Sequence, residues 1–127
     1  MDENPVVHFE MSYEDPKRAA EFYKRVFGWQ MNETGPEMGG YIVAQTTETK
    51  DGRPVRPGHI NGGLYPREAS PYQYPSVVIA VKDLEQAMKN VEQAGGKIIG
   101  KPHDIPTVGK YVSFTDTEGN RVSLLQP

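Results

Sequence analysis

Residues 6–28 read VVHFEMSYEDPKRAAEFYKRVFG, and residues 76–96 read SVVIAVKDLEQAMKNVEQAGG. The first stretch opens with apolar residues at every second position, which is the pattern of a half-buried strand. Asp15 then stands where it can cap a helix, Pro16 suits the first helical position, and Gly28 suits the end. The stretch therefore predicts a strand followed at once by a helix.

The second stretch repeats this plan with different residues. A shift of 68 positions places Asp83 on Asp15 and Gly96 on Gly28. Gln86, three residues after Asp83, offers a capping box. The apolar helix faces are expected to comprise Ala19, Phe22, Tyr23 and Val26 in the first copy, and Leu84, Ala87, Met88 and Val91 in the second. This agreement in the roles of the residues indicates an internal duplication.

Three strand-like segments follow each helix, so each copy is a β-α-β-β-β unit. The segments cover residues 29–33, 41–46 and 60–65 in the first copy, and 97–100, 111–115 and 121–126 in the second. We expect one α+β domain over 1–127, with repeat one at 5–66, a stiff and partly packed linker at 67–73, and repeat two at 74–127. The connection at 48–58 is charged and rich in proline and glycine, so it should be exposed.

Composition excludes several classes of function. The chain has 127 residues, no cysteine and a net charge of −3. The negative charge argues against nucleic acid as a partner, and the lack of cysteine excludes disulfides and thiolate chemistry. No apolar run is long enough for a membrane helix, and the polar start of the chain does not resemble a signal peptide. We therefore expect a cytoplasmic protein with no membrane partner.

Each sheet should have one face covered by a helix and one face left for another use. The residues expected to face the helices are Val7, Phe9, Met11, Ile42, Ala44, Val77, Ile79, Val81, Val112, Phe114, Val122 and Leu124. The opposite face is expected to carry His8, Glu10, Ser12, Tyr41, Val43, Gln45, Ser76, Val78, Ala80, Tyr111, Ser113, Thr115, Ser123 and Leu125. This second face mixes polar, aromatic and small residues, which suits the lining of a ligand groove.

Three short segments are informative in addition to the duplicated unit. They are DTEGNRVSL at 116–124, FYKRVFGW at 22–29 and GGLY at 62–65. Together with the two units they resemble the vicinal oxygen chelate superfamily, which includes glyoxalase I, bleomycin-resistance proteins, fosfomycin-resistance proteins and extradiol dioxygenases. The resemblance covers almost the whole chain. It implies that the two βαβββ repeats pair their mixed sheets around a cleft, often in a homodimer.

The resemblance also implies where a metal would bind. In metal-using members, four ligands come from the first and fourth strands of each unit. The corresponding positions in this chain are His8, Gly62 or Gly63, Ser76, and Ser123. Glycine offers no side-chain ligand, and serine is a poor one unless it is deprotonated. We therefore expect no metal and no other cofactor at this site.

His8 and Glu10 lie two residues apart on one strand, so their side chains point the same way. They are candidates for a catalytic acid–base pair and for ligand contacts. The alternative is that a neighbour satisfies His8 as a structural residue. His59 and His103 lie in Pro/Gly-rich segments and are interpreted as surface histidines in loops. A separate metal site built from His8, Glu10 and His59 is a further hypothesis.

Tyr41 and Tyr111 occupy equivalent positions in the two copies. They are predicted to form aromatic walls around a ligand, and the alternative is cross-strand packing between the units. Ser76 and Ser123 complete the set of predicted ligand-binding residues. Trp29 follows the glycine that ends the first helix, which favours packing against that helix over ligand stacking.

Three functions remain open from the sequence. The first is a domain of the bleomycin-resistance type that binds a small molecule in the cleft without metal catalysis at the family site. The second is a glyoxalase-like lyase or isomerase in which His8 and Glu10 serve as acid and base. The third is a dimeric interaction module that buries the mixed face and binds no ligand.

Overall fold

In the computed structural model, which describes residues 1, 3–67 and 74–127, both helices begin directly after the predicted aspartate caps. Asp15 accepts a hydrogen bond from a first-turn backbone amide at 3.1 Å, and helix α1 covers Pro16–Phe27. Gly28 ends this helix as predicted, in the left-handed conformation with a φ of 72°. Glycine suits this position because it carries no side chain to oppose that conformation.

Helix α2 covers Leu84–Gln93, and Asp83 caps it by accepting from the Gln86 amide at 3.1 Å. The second bond of the predicted capping box does not form. The Gln86 side chain instead donates to Asn90 Oδ1 at 3.0 Å, because that oxygen lies one helical turn further along the same surface. The Leu84 amide donates to a side chain from the last strand, which ties the start of α2 to the sheet.

The described residues fall into two compact units, each with four main strands. The N-terminal unit is His8–Pro75, and the C-terminal unit is Ser76–Pro127 together with Met1–Val7. The strands of the first half of the chain are β1 (Val6–Tyr13), β2 (Gln30–Glu33), β3 (Ile42–Gln45), β4 (Thr49–Lys50), β5 (Arg53–Pro54) and β6 (Asn61–Pro66). The N-terminal sheet has the order β2-β3-β6-β1, with β1 and β6 parallel and the other pairs antiparallel.

The C-terminal unit repeats this topology strand for strand. Its strands are β7 (Ser76–Ala80), β8 (Lys97–Ile105), β9 (Gly109–Thr115) and β10 (Arg121–Gln126). Their order is β7-β10-β9-β8, again with one parallel pair, β7 with β10, and two antiparallel pairs. The predicted α+β architecture of two β-α-β-β-β units is confirmed.

Each unit has a separate hydrophobic core between its helix and one face of its sheet. The N-terminal core contains Tyr13, Ile42, Ala44 and Leu64, with Phe9, Met11, Ala19, Tyr23, Trp29 and Met31 packed against it. The C-terminal core contains Val81, Leu84, Val112, Phe114 and Leu124, with Ile79, Ala87, Met88, Val91, Ile98 and Val122 packed against it. These clusters confirm most of the predicted helix-facing positions.

Four of the apolar positions that were predicted to pack between helix and sheet lie outside the cores. Phe22 and Val26 of α1 are 54% and 53% exposed, because Tyr23 and Ala19 take the side of the helix that faces the sheet. Val7 and Val77 lie near the starts of β1 and β7, outside both core clusters, and each is 37% exposed. An alternating pattern predicts which face of a strand a side chain lies on, but it does not show whether the helix extends far enough to cover that side chain.

Several connections also differ from prediction. The exposed connection at 48–58 contains the small β4–β5 hairpin, next to an ion pair between Arg56 and Glu48 at 3.2 Å. Strand β8 does not stop at Gly100 but continues past a bulge, so His103 lies in a strand and its prediction as a loop residue was wrong. The predicted linker at 67–73 lies outside the described residues, apart from its first residue. No helix among the described residues is long and apolar enough to cross a membrane.

Candidate functional site

The N-terminal unit holds a chain of hydrogen bonds on the sheet face opposite α1. Its members are His8 and Glu10 of β1 and Tyr41, which immediately precedes β3. The Tyr41 hydroxyl lies 2.9 Å from His8 Nε2 and donates to Glu10 Oε2 at 3.2 Å. Glu10 is buried and His8 is half-buried. The structure therefore joins three of the predicted site residues through one phenol.

Gly63 makes room for the Tyr41 ring. The strand register pairs Gly63 of β6 with Glu10 on one side and with Val43 on the other. A Cβ atom at Gly63 would overlap both the ring and the hydroxyl of Tyr41. Gly63 is not in the left-handed region, so glycine is required here for space and not for backbone conformation. The register thus points to Gly63, and not Gly62, as the position next to this polar chain.

The hydrogen-bond directions assign the His8 tautomer. The Tyr41 hydroxyl has one proton, which it donates to Glu10, so its oxygen can only accept from His8. Nε2 of His8 therefore carries the hydrogen. Burial lowers the pKa of His8 from its ordinary value of 6.5, and the nearby charge of Glu10 raises it by a smaller amount. His8 is accordingly a neutral donor near pH 7.

This lowered pKa predicts a loss of stability in acid. The unfolded chain takes up a proton at His8 near pH 6.5 while the folded protein resists it, so the free energy of unfolding should fall as the pH drops below about 6.5. Urea unfolding at about pH 7.5 and about pH 5 measures this fall. We expect His8→Gln to reduce it, whereas exchange of the exposed His59 for Gln should leave it unchanged. An equal fall in the wild type and His8→Gln would contradict this assignment.

The C-terminal unit holds a hydroxyl network on its corresponding face. Tyr111 Oη lies 2.7 Å from Ser123 Oγ, which lies 2.8 Å from Ser113 Oγ. Ser113 donates to Tyr111 at 3.4 Å, so each of the three hydroxyls can donate one hydrogen bond to the next hydroxyl in the ring. Arg121 Nη2 donates into it at 3.3 Å to Tyr111 and 3.1 Å to Ser113. Ser123 is fully buried and Ser113 almost so.

Ser76 lies on the same sheet face as this network. Ser123 pairs with Val78, and Ser76 is two residues before Val78 on β7, so the three side chains point to one side. Ser76 is only 9% exposed, and its hydroxyl has no hydrogen-bond partner among the described residues. Buried hydroxyls without a partner are uncommon and destabilising, which makes Ser76 a candidate for contact with a ligand.

The two networks occupy equivalent positions in the repeat. The antiparallel registers pair Val43 with Gly63 in the first copy and Ser113 with Ser123 in the second. Gly63 therefore corresponds to Ser123, and these are the two fourth-strand positions to which the resemblance assigns metal ligands. Beside the first lies the hydroxyl of Tyr41, and beside the second lies that of Tyr111.

These residues do not fit the metal site that the resemblance implies. Of its four positions, one is the neutral His8, whose Nε2 donates to Tyr41, one is glycine and two are serine. The space beside the glycine is filled by a phenol ring. Among the described residues, no group of three or more His, Cys, Asp or Glu side chains could hold a metal ion, which also counts against a site built from His8, Glu10 and His59.

The remaining candidates have structural partners. His59 is exposed, with Nδ1 2.7 Å from Thr47 Oγ1. The His103 ring lies 5.3 Å from that of Tyr111, its partner across the β8–β9 pair. Trp29 stacks on Tyr23 at 4.8 Å with 9° between the ring planes, in accord with a packing role.

The sequence did not single out two members of the C-terminal network. Ser113 was placed on the correct face without a role, and Arg121 was noted only within a motif. The signal that could have identified Arg121 is its spacing from Ser123, since side chains two apart on a strand share a face. Its contact with Tyr111 depends on the pairing of β9 with β10.

Comparison with known proteins agrees with this fold. The family model described as "Glyoxalase/Bleomycin resistance protein/Dioxygenase superfamily" matches residues 6–124. The anthracycline biosynthesis protein DauV of Streptomyces sp. (strain C5) is 30% identical over 124 residues, covering 87% of this chain, and the chain spans only 42% of that relative.

Solved structures give a similar result at lower identity. A methylmalonyl-CoA epimerase variant from Streptomyces coelicolor, in complex with 2-nitronate-propionyl-CoA, has a TM-score of 0.69 at 15% identity, covering 99% of this chain and 98% of that one. The Mycobacterium tuberculosis methylmalonyl-CoA epimerase has a TM-score of 0.64 at 16% identity, covering 96% and 87%. These structures support the fold alone, whereas the family model covers nearly the whole chain. The chain therefore belongs to the glyoxalase/bleomycin resistance protein/dioxygenase superfamily.

Proposed function

We propose that this chain binds a small organic molecule on its polar sheet faces without a metal ion at the family site. The observation that carries the proposal is the Tyr41 phenol, which is hydrogen-bonded to His8 and Glu10 and lies over Gly63. It places a neutral phenol, fixed by two neighbouring side chains, beside a position to which the resemblance assigns a metal ligand.

The chemistry of these faces supports a ligand of mixed polarity. Small-molecule sites combine apolar surface with a few fixed polar groups, and His8, Glu10 and Tyr41 are fixed by one another. Ser76, Tyr111 and Ser123 belong to the same proposal as contacts from the C-terminal unit. One relative is named as an anthracycline biosynthesis protein, and one structural neighbour was solved with a CoA compound, so quinones and acyl-CoA compounds are the first candidates to test. A homodimer and a cytoplasmic location are parts of this proposal that rest on the resemblance and on composition.

Ligand binding after removal of metal is the direct test. The protein is dialysed against a chelator and screened by thermal shift with a panel of quinones, acyl-CoA compounds and glutathione adducts, and hits are measured by calorimetry. We expect binding without metal, weakened about tenfold by Tyr41→Phe, since loss of a hydrogen bond to a charged or buried group costs about one decade. Tyr74→Phe is the matched control because Tyr74 is 83% exposed. Tight binding of one metal ion per chain that supports turnover would contradict the proposal.

The second candidate is an acid–base enzyme of the lyase or isomerase class. It is favoured by the position of Glu10, which is buried and accepts from a phenol that itself accepts from His8. Such a carboxylate could take a proton from a carbon next to a carbonyl group, and the same carboxyl could return it to another position, which gives net isomerisation.

Glu10→Gln separates the two candidates. An enzyme should lose turnover by about 100-fold or more in this variant while ligand binding persists, because a general base contributes about that much or more. A binding domain should show no turnover in either protein. Glu21→Gln, an exposed exchange on α1, is the control. Equal turnover in the wild type and Glu10→Gln would exclude Glu10 as the base.

A further inference from the structure

Strand β2 of the N-terminal unit has one edge that no other described strand covers. It stands at the end of the strand order, with β3 as its one neighbour among the described residues. Three of its four residues are exposed, and Met31 is half-buried. An uncovered strand edge presents backbone N–H and C=O groups in a row, which makes it a template for pairing with another strand.

The hydrogen bonds around β2 show which of its backbone groups point outward. The Thr34 amide donates to the Tyr41 carbonyl at 3.1 Å, in the same register that pairs β2 with β3. Bonded residues alternate along an antiparallel pair, so every second residue of β2 directs its backbone groups away from β3. Those residues are Met31 and Glu33, and neither amide has a hydrogen-bond partner among the described residues. The N–H and C=O groups of these two residues therefore form the open edge.

The other outer strand, β8, is protected against such pairing. It contains a bulge between Ile99 and His103, and it carries Lys97, Lys101 and Pro102. Bulges, lysines and prolines are features that keep edge strands from pairing with other chains. The four described residues of β2, which read QMNE, include no lysine or proline, and their pairing with β3 is regular. The open edge of β2 therefore lacks the usual protection.

An open groove of about 680 Å³ lies between α1 and β2 and carries several charges. Its basic side chains are Lys17, Arg18 and Lys24, and its acidic side chains are Glu21 and Glu33. Neither Lys24 nor Glu33 forms an ion pair with another described residue. A groove with more basic than acidic groups beside an open strand edge favours a strand that brings a carboxylate.

The β2 edge of a second copy meets both requirements. When two copies pair antiparallel about a two-fold axis at Asn32, Met31 of each copy lies opposite Glu33 of the other. Outward groups then face outward groups, so every N–H and C=O of the open edge finds a partner. Side chains that lie opposite each other in a strand pair are close neighbours, so Glu33 of each copy enters the groove of the other.

The same pairing brings opposite charges together. The chain reverses after Gly28, which Lys24 precedes by four residues and Met31 follows by three, so β2 runs back along α1. A helix rises about 1.5 Å and a strand about 3.3 Å per residue, which puts Lys24 and Met31 at similar heights in the groove. Glu33 of the second copy, placed opposite Met31, therefore lies within reach of Lys24.

We propose that this chain forms a homodimer by antiparallel pairing of two β2 strands, with Glu33 of each copy facing Lys24 of the other. The inference goes beyond ligand binding and does not depend on it. It gives a surface to the homodimer, which in the proposed function rests on the resemblance alone. The paired segment is short, so the dimer is weak and its formation depends on protein concentration.

Backbone amides report the pairing directly. We expect hydrogen exchange, followed by NMR, to slow at Met31 and Glu33 as the protein concentration rises toward about 1 mM, because pairing removes these amides from water. The Asn32 amide points at β3 in a single chain as well, so its exchange should not follow concentration. A protein that stays monomeric in sedimentation equilibrium up to about 1 mM would overturn the inference.

Glu33→Pro tests the backbone bonds of the interface. Proline has no amide hydrogen, and the Glu33 amide is not bonded to β3, so an edge strand tolerates this exchange. We expect dimerisation about tenfold or more weaker in Glu33→Pro than in Glu33→Ala, which loses the same carboxylate but keeps the amide. Equal dimerisation of the two variants would show that the β2 edge is not paired and would overturn the inference.

A charge exchange tests the register. Glu33→Lys and Lys24→Glu should each weaken the homodimer, whereas a mixture of the two variants should form a heterodimer as tight as the wild-type dimer, since both contacts then join opposite charges. Glu92→Lys, an exposed exchange on α2, should leave dimerisation unchanged. A mixture that dimerises no better than either variant alone would contradict the proposed contacts.

The outcome for the dimer is separable from the outcome for the ligand. If no dimer forms through β2 while metal-free ligands still bind in a Tyr41-dependent way, the inference is wrong and ligand binding stands. Dimerisation that depends on the Glu33 amide, with no organic ligand found, gives the opposite result.

Discussion

Replacing Gly63 with alanine is expected to lower the free energy of unfolding by about 3 kcal/mol, measured by urea denaturation. The added Cβ atom would overlap the Tyr41 ring, so the ring must move or the backbone must shift. Overpacking of this kind typically costs about 1–3 kcal/mol, and here the movement also breaks the bonds from Tyr41 to His8 and Glu10. Glu10 is buried, so loss of its partner adds to the cost.

A double-mutant cycle shows whether this cost comes from Tyr41. In a Tyr41→Ala background the ring is absent, so Gly63→Ala should cost less than about 1 kcal/mol. Gly62→Ala is the matched control, because its Cβ would meet the ring of Phe9 and removal of Tyr41 should not rescue it. If Gly63→Ala were as costly without Tyr41 as with it, the glycine would be needed for a reason other than the phenol.

The fold was predictable from the sequence where its signals are local. Each helix follows an aspartate cap and ends near glycine, and each first strand alternates over a few residues. These signals depend on neighbours in the chain, so they can be read without knowing the tertiary structure. Three strand-like segments after each helix then completed the β-α-β-β-β pattern in both copies.

Errors arose where long-range packing decides the structure. The helical pattern of α1 could not show that Phe22 and Val26 would stay exposed, since that depends on how Tyr23 meets Trp29. Strand β8 was expected to end at Gly100, but pairing with β9 extends it beyond a bulge to Ile105. Neither outcome follows from residues close together in the sequence.

The site was predictable as a set of residues but not as a set of contacts. Residues His8 and Glu10 were paired from their spacing alone, whereas the place of Tyr41 between them depends on the strand register. The sequence also left Gly62 and Gly63 as alternatives, and only the register separates them. Pairing across a sheet fixes such contacts, and a single sequence carries little information on it.

Tyr111→Phe is expected to destabilise the protein by about 2 kcal/mol while keeping the aromatic ring. Its hydroxyl contacts Ser123 at 2.7 Å and also accepts from Ser113 and Arg121. The buried serines and the guanidinium would each lose a partner, and such losses cost about 1–3 kcal/mol. If Tyr111 served only as an aromatic wall or packing surface, phenylalanine would be tolerated without cost. Tyr74→Phe, at an exposed position, provides the control for urea unfolding.

The shared network makes the effects of neighbouring substitutions non-additive. Ser123→Ala removes another hydroxyl from the same ring, so Tyr111→Phe and Ser123→Ala together should cost less than the sum of the single changes. An exchange at an exposed position, Tyr74→Phe, should add independently to Tyr111→Phe. Additive costs for Tyr111 and Ser123 would show that their hydroxyls do not act as one network. Coupling between Tyr111 and Ser123 would instead indicate that the C-terminal unit has one phenol-centred hydrogen-bond network at its fourth-strand position.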